Sequence, residues 1–194
     1  MSVNACVAAV RLSNLRYAGI WISGLTAVTI STVFTTFVIM TFVVPVQPWY
    51  EPRYLIPLVG MMLGNALTGI SLCLDRLMSE LDEKRQEVEC WLALGATAWE
   101  ACRPHIRSAV RTGMIPILNS MTVVGIVSIP GMMTGQILAG APPEQAIRYQ
   151  IVVMFMIAAA TSIAAVLITL LSFRRLVTGK HQLASHLLRE AKHH

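Results

Sequence analysis

Residues 17–44 read YAGIWISGLTAVTISTVFTTFVIMTFVV, a stretch without one charged side chain. A helix that crosses the hydrocarbon core of a bilayer needs roughly 20 mostly apolar residues. Helices are favoured there because each satisfies its own backbone amides and carbonyls where no water can do so. The stretch is long enough to span, and the chain around it has the same character. Of 194 residues, 55% are hydrophobic and 13% charged. A soluble domain of this size carries about 25% charged residues. Mean hydropathy is positive, at +0.64. The composition therefore predicts an all-α integral membrane protein, a polytopic helix bundle, with residues 1–194 forming one transmembrane domain.

Working outward, the segment PVQPWYEPR at 45–53 closes the first span with helix-stopping prolines and interfacial aromatics, Trp49 and Tyr50. A second span is expected from Tyr54 to Leu74, a third from Thr112 to Pro130, and a fourth from Ile147 to Phe173. Between the second and third lies the long charged region, residues 75–111, and after the fourth a basic tail, residues 174–194. Arg11 and Arg16, the arginines and lysines of the 75–111 loop, and those of the tail all fall on one side of this arrangement. Only Arg53 and Arg148 fall on the other. The positive-inside rule then places both termini and the charged loop in the cytoplasm. The net charge of +5 is accounted for by this topology and by anionic lipid, so no nucleic-acid partner is expected. The cysteines, Cys6, Cys73, Cys90 and Cys102, fit no zinc spacing and face a reducing compartment, so they read as small apolar residues. No metal site is expected.

The charged loop has internal order. Leu74, Leu77, Met78, Leu81, Val88, Trp91 and Leu92 recur at three- and four-residue spacing, predicting an amphipathic helix over Ser79–Leu94, with Glu80 and Lys84 as a supporting pair. Gly95 and Ala96 interrupt it. Thr97-Ala-Trp-Glu100 then has the spacing of a capping box, so a second helix starts there. Pro104 is expected to kink that helix or delay its regular part. Arg103, Arg107 and Arg111 repeat every four residues on one face, which predicts contact with lipid phosphates or an acidic partner. The loop is thus helix, turn, helix, with Trp91, Leu94 and Trp99 at an apolar knuckle. Leu92 is expected at the same exposed knuckle, and the loop is either a solvated hairpin or a docking element.

Two ten-residue phrases share six positions in register, GMMLGNALTG at 60–69 and GMMTGQILAG at 131–140. Gly60 and Gly64, and Gly131 and Gly135, have the GxxxG spacing that brings helix backbones together in lipid. Close-packed seams are expected at both. Met61, Met62, Asn65, Asn119, Met132, Met133 and Gln136 are candidates for lining a substrate path. Thioethers suit soft metals better than ferrous iron, so packing is the competing and favoured reading of the methionines. Pro130-Gly131 is expected to produce a kink or a re-entrant turn.

Glu89-Cys-Trp-Leu-Ala-Leu-Gly95 resembles the EAA loop of ABC-transporter permeases, where a Glu precedes a Gly by six residues. IPLVGMMLGNA, LALGATAWEA, VSIPGMMTGQILAG, AIRYQIVVMFM and the later HQL resemble FetB-type iron-export permeases, a family that includes plant aluminium-tolerance permeases. The resemblance covers essentially the whole chain. It implies a permease subunit of an ABC exporter, carrying iron or a related metal, in a bacterial inner membrane. It also implies that Glu89, Trp91, Leu94, Gly95, Ala96, Thr97, Trp99 and Glu100 form the coupling element for a separate ATPase subunit. Nothing here matches a P-loop, since Gly179-Lys180 is followed by His181 and lacks the upstream glycine. This chain is therefore expected to be no enzyme and to bind no cofactor, with ATP-Mg held by the partner and a second copy completing the path. Two departures stand out. Family members usually carry further N-terminal hydrophobic helices, and Met1–Val10 resembles the interior of one, so the four spans are expected to be a subset. Some relatives have Asp and Lys where this chain has Asn119 and Thr122, which leaves the cargo open, with nucleotide sugars an alternative. An ion-coupled transporter would need ionisable groups within the spans, which have essentially none. A non-transporting scaffold is the third reading, with the hairpin binding some other soluble protein.

Overall fold

A computed structural model describes residues 20–42, 52–126 and 129–176. Within them the chain forms six α-helices: α1 (Ile20–Phe42), α2 (Pro52–Glu83), α3 (Arg85–Ala93), α4 (Ala98–Val123), α5 (Gly131–Leu138) and α6 (Pro143–Leu176). α2 packs along both α4 and α6, α1 lies mainly against α6, and α5 rests on α6.

The distribution of side chains is that of a body solvated by hydrocarbon. Val33, Phe34 and Phe37 on α1, and Phe155 on α6, each expose more than half of their surface. The interior of the same helices holds Ser31, Thr35, Thr161, Thr169 and Ser172. Two of these hydroxyls bond to carbonyls of their own helix, Thr169 to Ala165 (2.7 Å) and Thr161 to Ile157 (2.8 Å). Ser31 instead reaches across to the Ala160 carbonyl at 2.5 Å and ties α1 to α6. Ile56–Glu83 and Pro143–Arg175 are long and apolar enough to cross a membrane, and Ser23–Val38 is a shorter apolar stretch within the 23-residue α1. At 1.5 Å per residue, the 28 residues of Ile56–Glu83 extend about 42 Å, beyond a hydrocarbon core of about 30 Å. Asp75 and Arg76, both exposed, mark where α2 leaves it.

Several expected boundaries move. α2 does not stop at Leu74 but continues to Glu83, and Lys84 (φ −103°) separates it from α3, so the helix expected over Ser79–Leu94 is two helices with a joint. Pro104 and Pro116 are both inside α4, so Pro104 does not delay the helix. The third span does not run as one helix to Pro130. α4 ends at Val123, the chain turns through Gly125 (φ +86°), and Pro130 begins the separate α5. From Thr112 to Val123 the helix covers only about 18 Å, little more than half a crossing.

The repeated phrases do different work in their two settings. A Cβ added to Gly60, Gly64, Gly131 or Gly135 would meet no atom within 4 Å, so the GxxxG spacing builds no seam among the described residues. The close approach is made by Gly69 of α2 and Gly113 of α4. A Cβ on Gly113 would sit 2.7 Å from the Gly69 carbonyl oxygen and clash with the Cys73 sulfur. A Cβ on Gly69 would stand 2.7 Å from Thr161 of α6. Three helices meet where two of them have no side chain. The first phrase contributes its last glycine to that crossing. The second ends with Gly140 (φ +90°), whose amide bonds to Ile137, while the amide of Ala141 bonds to Gln136, a Schellman stop for α5.

Candidate functional site

The hairpin formed by α3 and the start of α4 is fixed at both ends of its turn by backbone chemistry. Gly95 adopts φ +90°, its amide bonds to the Leu92 carbonyl, and the Ala96 amide bonds to the Trp91 carbonyl (both 3.1 Å). This is the same Schellman arrangement, and it requires a residue that tolerates the left-handed region. Two residues on, the expected capping box is present. The Glu100 amide donates to the Thr97 hydroxyl oxygen at 3.3 Å, and the Thr97 amide donates to Glu100 Oε2 at 2.9 Å. The turn is therefore rigid, and its direction is set by Gly95 and Thr97 together.

That rigidity presents an apolar tip. Val88 is fully buried, and Leu92, expected at the exposed knuckle, instead packs on the main core and anchors α3. Leu94 is 78% exposed and Trp91 53%, and Trp99 is nearly half exposed. Trp99 is held from behind by Phe173 of α6 in an edge-to-face contact with centroids 5.4 Å apart. Glu89 lies on the exposed side of α3 and pairs with Arg85 at 2.7 Å. Between the two helices runs an open groove of about 630 Å³, lined among others by Trp91, Leu94, Gly95, Ala96, Glu100 and His105. All eight residues assigned to the coupling element thus fall in one hairpin.

The carboxyl of Glu100 is held below its ordinary value, first by the Thr97 hydroxyl that donates to it and then by the Thr97 amide. A depressed folded value means that the contribution to hairpin order is present above 4.5 and is lost as pH falls through the folded pKa. Amide-exchange protection at Thr97 and Glu100, corrected for the intrinsic rate, should therefore decline below that pH. Thr97→Val should be poorly protected at every pH and show no such decline.

Behind the hairpin is a polar cluster that sequence reasoning missed. Glu80, near the end of α2, is buried, and it does not pair with Lys84. Its Oε1 accepts from Arg76 Nη2 and from the Ser108 hydroxyl, both at 2.6 Å, and His105 Nδ1 lies 3.2 Å from Oε2. Burial pushes the Glu80 carboxyl up, but hydrogen bonds from Ser108 and His105 and the Arg76 charge outweigh it, leaving it below its ordinary value. An ionised carboxylate selects the His105 tautomer that donates from Nδ1. This clasp joins the C-terminal part of α2 to the second and third turns of α4. Its one legible trace was the i,i+4 spacing of Arg76 and Glu80. The cross-helix partners are 25 and 28 residues away. Nearby Cys102 is buried and its thiol is pushed up to about 11, so it packs as an apolar residue, while Cys90 is exposed.

Among the described residues, the candidate path residues divide between a packed cluster and more exposed positions. Met62 is fully buried and accepts a long contact from the Thr36 hydroxyl (3.8 Å), and Met61 and Met132 pack on the same cluster of Leu58, Ile117, Val153 and Met156. Asn65 donates to the Met61 carbonyl at 2.9 Å. Met133 and Gln136 are half-buried on α5, and Asn119 is exposed on α4. Among the described residues, no three His, Cys, Asp or Glu side chains come together as a metal site. Thr32, Thr35 and Gln150 each bury an oxygen with no hydrogen-bond partner there.

Residues 1–177 match the model of an uncharacterised protein family, UPF0014. The chain belongs to the UPF0014 family. It is 43% identical over 143 residues to a UPF0014 membrane protein of Synechocystis, covering 73% of this chain and 55% of that one. It is 38% identical over 134 residues to the probable iron export permease protein FetB of Escherichia coli, covering 69% and 52%. A further match is the ALUMINUM SENSITIVE 3 protein of Arabidopsis thaliana, 38% identical over 137 residues, covering 71% and 50%. The chain spans about half the length of these UPF0014 relatives. No solved structure matches it. The resemblance to FetB-type and plant aluminium-tolerance permeases is thus shown, and membership of a family of membrane proteins agrees with the apolar exterior of the helices.

Proposed function

We propose that this chain is the membrane-spanning permease subunit of an ABC exporter, multi-pass in a bacterial inner membrane, moving iron or a related metal outward. The reading is carried by one observation: a rigid hairpin with an exposed tip of Trp91, Leu94 and Trp99, braced against the ends of α2 and α6. Water disfavours such a tip, whereas a groove in a soluble partner would bury it. In this reading the partner is an ATPase that holds ATP-Mg, and the hairpin passes its movement to α4 and α2. A second copy of the chain completes the path, because so few spans in one chain cannot enclose it. The cargo assignment is supported by the name of the E. coli relative, and metal accumulation in cells lacking the protein would test it.

Gly95→Pro removes the amide that bonds to Leu92 and cannot adopt φ +90°, so the turn cannot form. The variant should insert into membranes at the normal level but fail to co-purify with its ATPase. Glu89→Lys, which puts two like charges beside each other with Arg85, should weaken the same association with less structural disturbance. Should both variants retain ATPase binding and export, the coupling role of the hairpin is wrong.

A further inference from the structure

Arg103, Arg107 and Arg111 stand one turn apart along α4, and all three are exposed. Arg76, Arg85 and Arg148 each have a carboxylate at 2.6–2.7 Å. Among the described residues, the three on α4 have none. Like charges at i,i+4 spacing destabilise a helix unless an anion lies between them. An open groove of about 710 Å³ runs beside the last two, lined by Pro104, Arg107, Ser108, Val110 and Arg111. Its one hydroxyl is already committed, since Ser108 donates to Glu80. The carboxylate that Ser108 reaches, that of Glu80, is neutralised by Arg76. What the groove offers is two unpaired guanidinium groups over the apolar surfaces of Pro104 and Val110.

Its depth decides the ligand. Arg111 directly precedes the stretch Thr112–Val123, which has no charge, so the groove opens sideways where α4 enters the hydrocarbon. We propose that this groove binds the phosphate of an anionic phospholipid in the cytoplasmic leaflet. Arg107 and Arg111 clamp the phosphodiester, and Pro104 and Val110 contact the glycerol and upper acyl chain. A free phosphate would leave the apolar lining unused. An acidic protein partner seated on the hairpin tip is poorly placed, because Arg111 lies 13 residues, about 20 Å, along α4 from Ala98. The site rests on the membrane orientation of the loop and not on the coupling role of the hairpin.

The test uses the full chain in phosphatidylcholine vesicles containing a minor fraction of phosphatidylglycerol, followed by mild extraction and mass spectrometry of the retained lipid. Wild type should retain phosphatidylglycerol in excess over its share of the vesicle. R107Q/R111Q should reduce that enrichment roughly tenfold or more, R107K/R111K should retain part of it, and R148Q should match wild type. Melting in pure phosphatidylcholine should be the same for all four, which separates lipid binding from folding. Excess inorganic phosphate should leave wild-type retention unchanged. Undiminished enrichment in R107Q/R111Q would overturn the proposal, and so would displacement of the lipid by phosphate, which marks a free-anion site. Loss of ATPase association in that variant with lipid retention intact would also overturn it, assigning the arginines to a protein partner. If R107Q/R111Q does not fold, the lysine variant and the phosphate competition on wild type still decide.

Discussion

Gly113→Val should loosen the whole bundle, lowering stability by about 3 kcal/mol. Gly113 and Gly69 form the crossing of α2 and α4, with so little space that the first added carbon would fall 2.7 Å from the Gly69 carbonyl oxygen and overlap the Cys73 sulfur. The obstruction is backbone, so no rotamer change relieves it, and the two helices must separate along a contact that also carries α6 through Thr161. Gly60→Ala is the matched control. It lies in the GxxxG phrase but faces open space, so unfolding of the chain should change by no more than about 0.5 kcal/mol. Thermal melting in detergent compares the two directly. A stable Gly113→Val with a destabilised Gly60→Ala would mean that the helices cross at the phrase instead.

The second large effect is expected at Glu80. Truncation to alanine leaves His105 and the Ser108 hydroxyl facing an unfilled buried site, which should cost about 2–4 kcal/mol. Arg76 is half-exposed and regains water, so its share of the loss is small. Glu80→Gln keeps the shape and an acceptor and should lose less. It also isolates the charge. Because the folded pKa of Glu80 is depressed, its contribution is present above 4.5 and is lost as pH falls through the folded value. The wild-type melting temperature should therefore drop as pH falls below that value, while that of Glu80→Gln should fall less. Parallel curves for the two proteins would show that the carboxylate does not hold α2 to α4. If the hairpin drives transport, Glu80→Gln should also raise the ATP consumed per ion exported, since the clasp is a direct polar link from α4 to α2.

The hairpin was the most legible part of this molecule because its determinants are local. A left-handed Gly95 and a Thr97–Glu100 box act within a few residues, so spacing alone locates the turn and the start of α4. The exposed knuckle was legible for the same reason, since large apolar residues beside a glycine turn have nowhere nearby to bury. The Glu80 clasp was not legible, because its partners are on another helix and any carboxylate on the charged face of α2 looks alike in sequence. Lys84, the expected partner, is nearer in sequence but sits at the joint between two helices. Likewise, spacing could not tell whether Gly60 and Gly64 or Gly69 made the close contact, since all lie on one continuous helix.

By itself, the sequence determined that the chain is helical and belongs in a membrane, on which side its basic residues gather, and where the hairpin turns. Those properties follow from hydrophobic length, from the one-sided distribution of arginine and lysine, and from short-range backbone hydrogen bonds, all of which are read along the chain. The tertiary structure decided what the repeated phrase does. Inside α2 it is one continuous helix whose final glycine admits α4 and α6. Between Pro130 and Gly140 it is a short separate helix, because the preceding helix has already ended at Val123. The tertiary structure also decided which charges are spent: Arg76 is neutralised by Glu80, while Arg107 and Arg111 have no carboxylate partner among the described residues. Pairing across helices depends on which faces meet, and local sequence does not encode that.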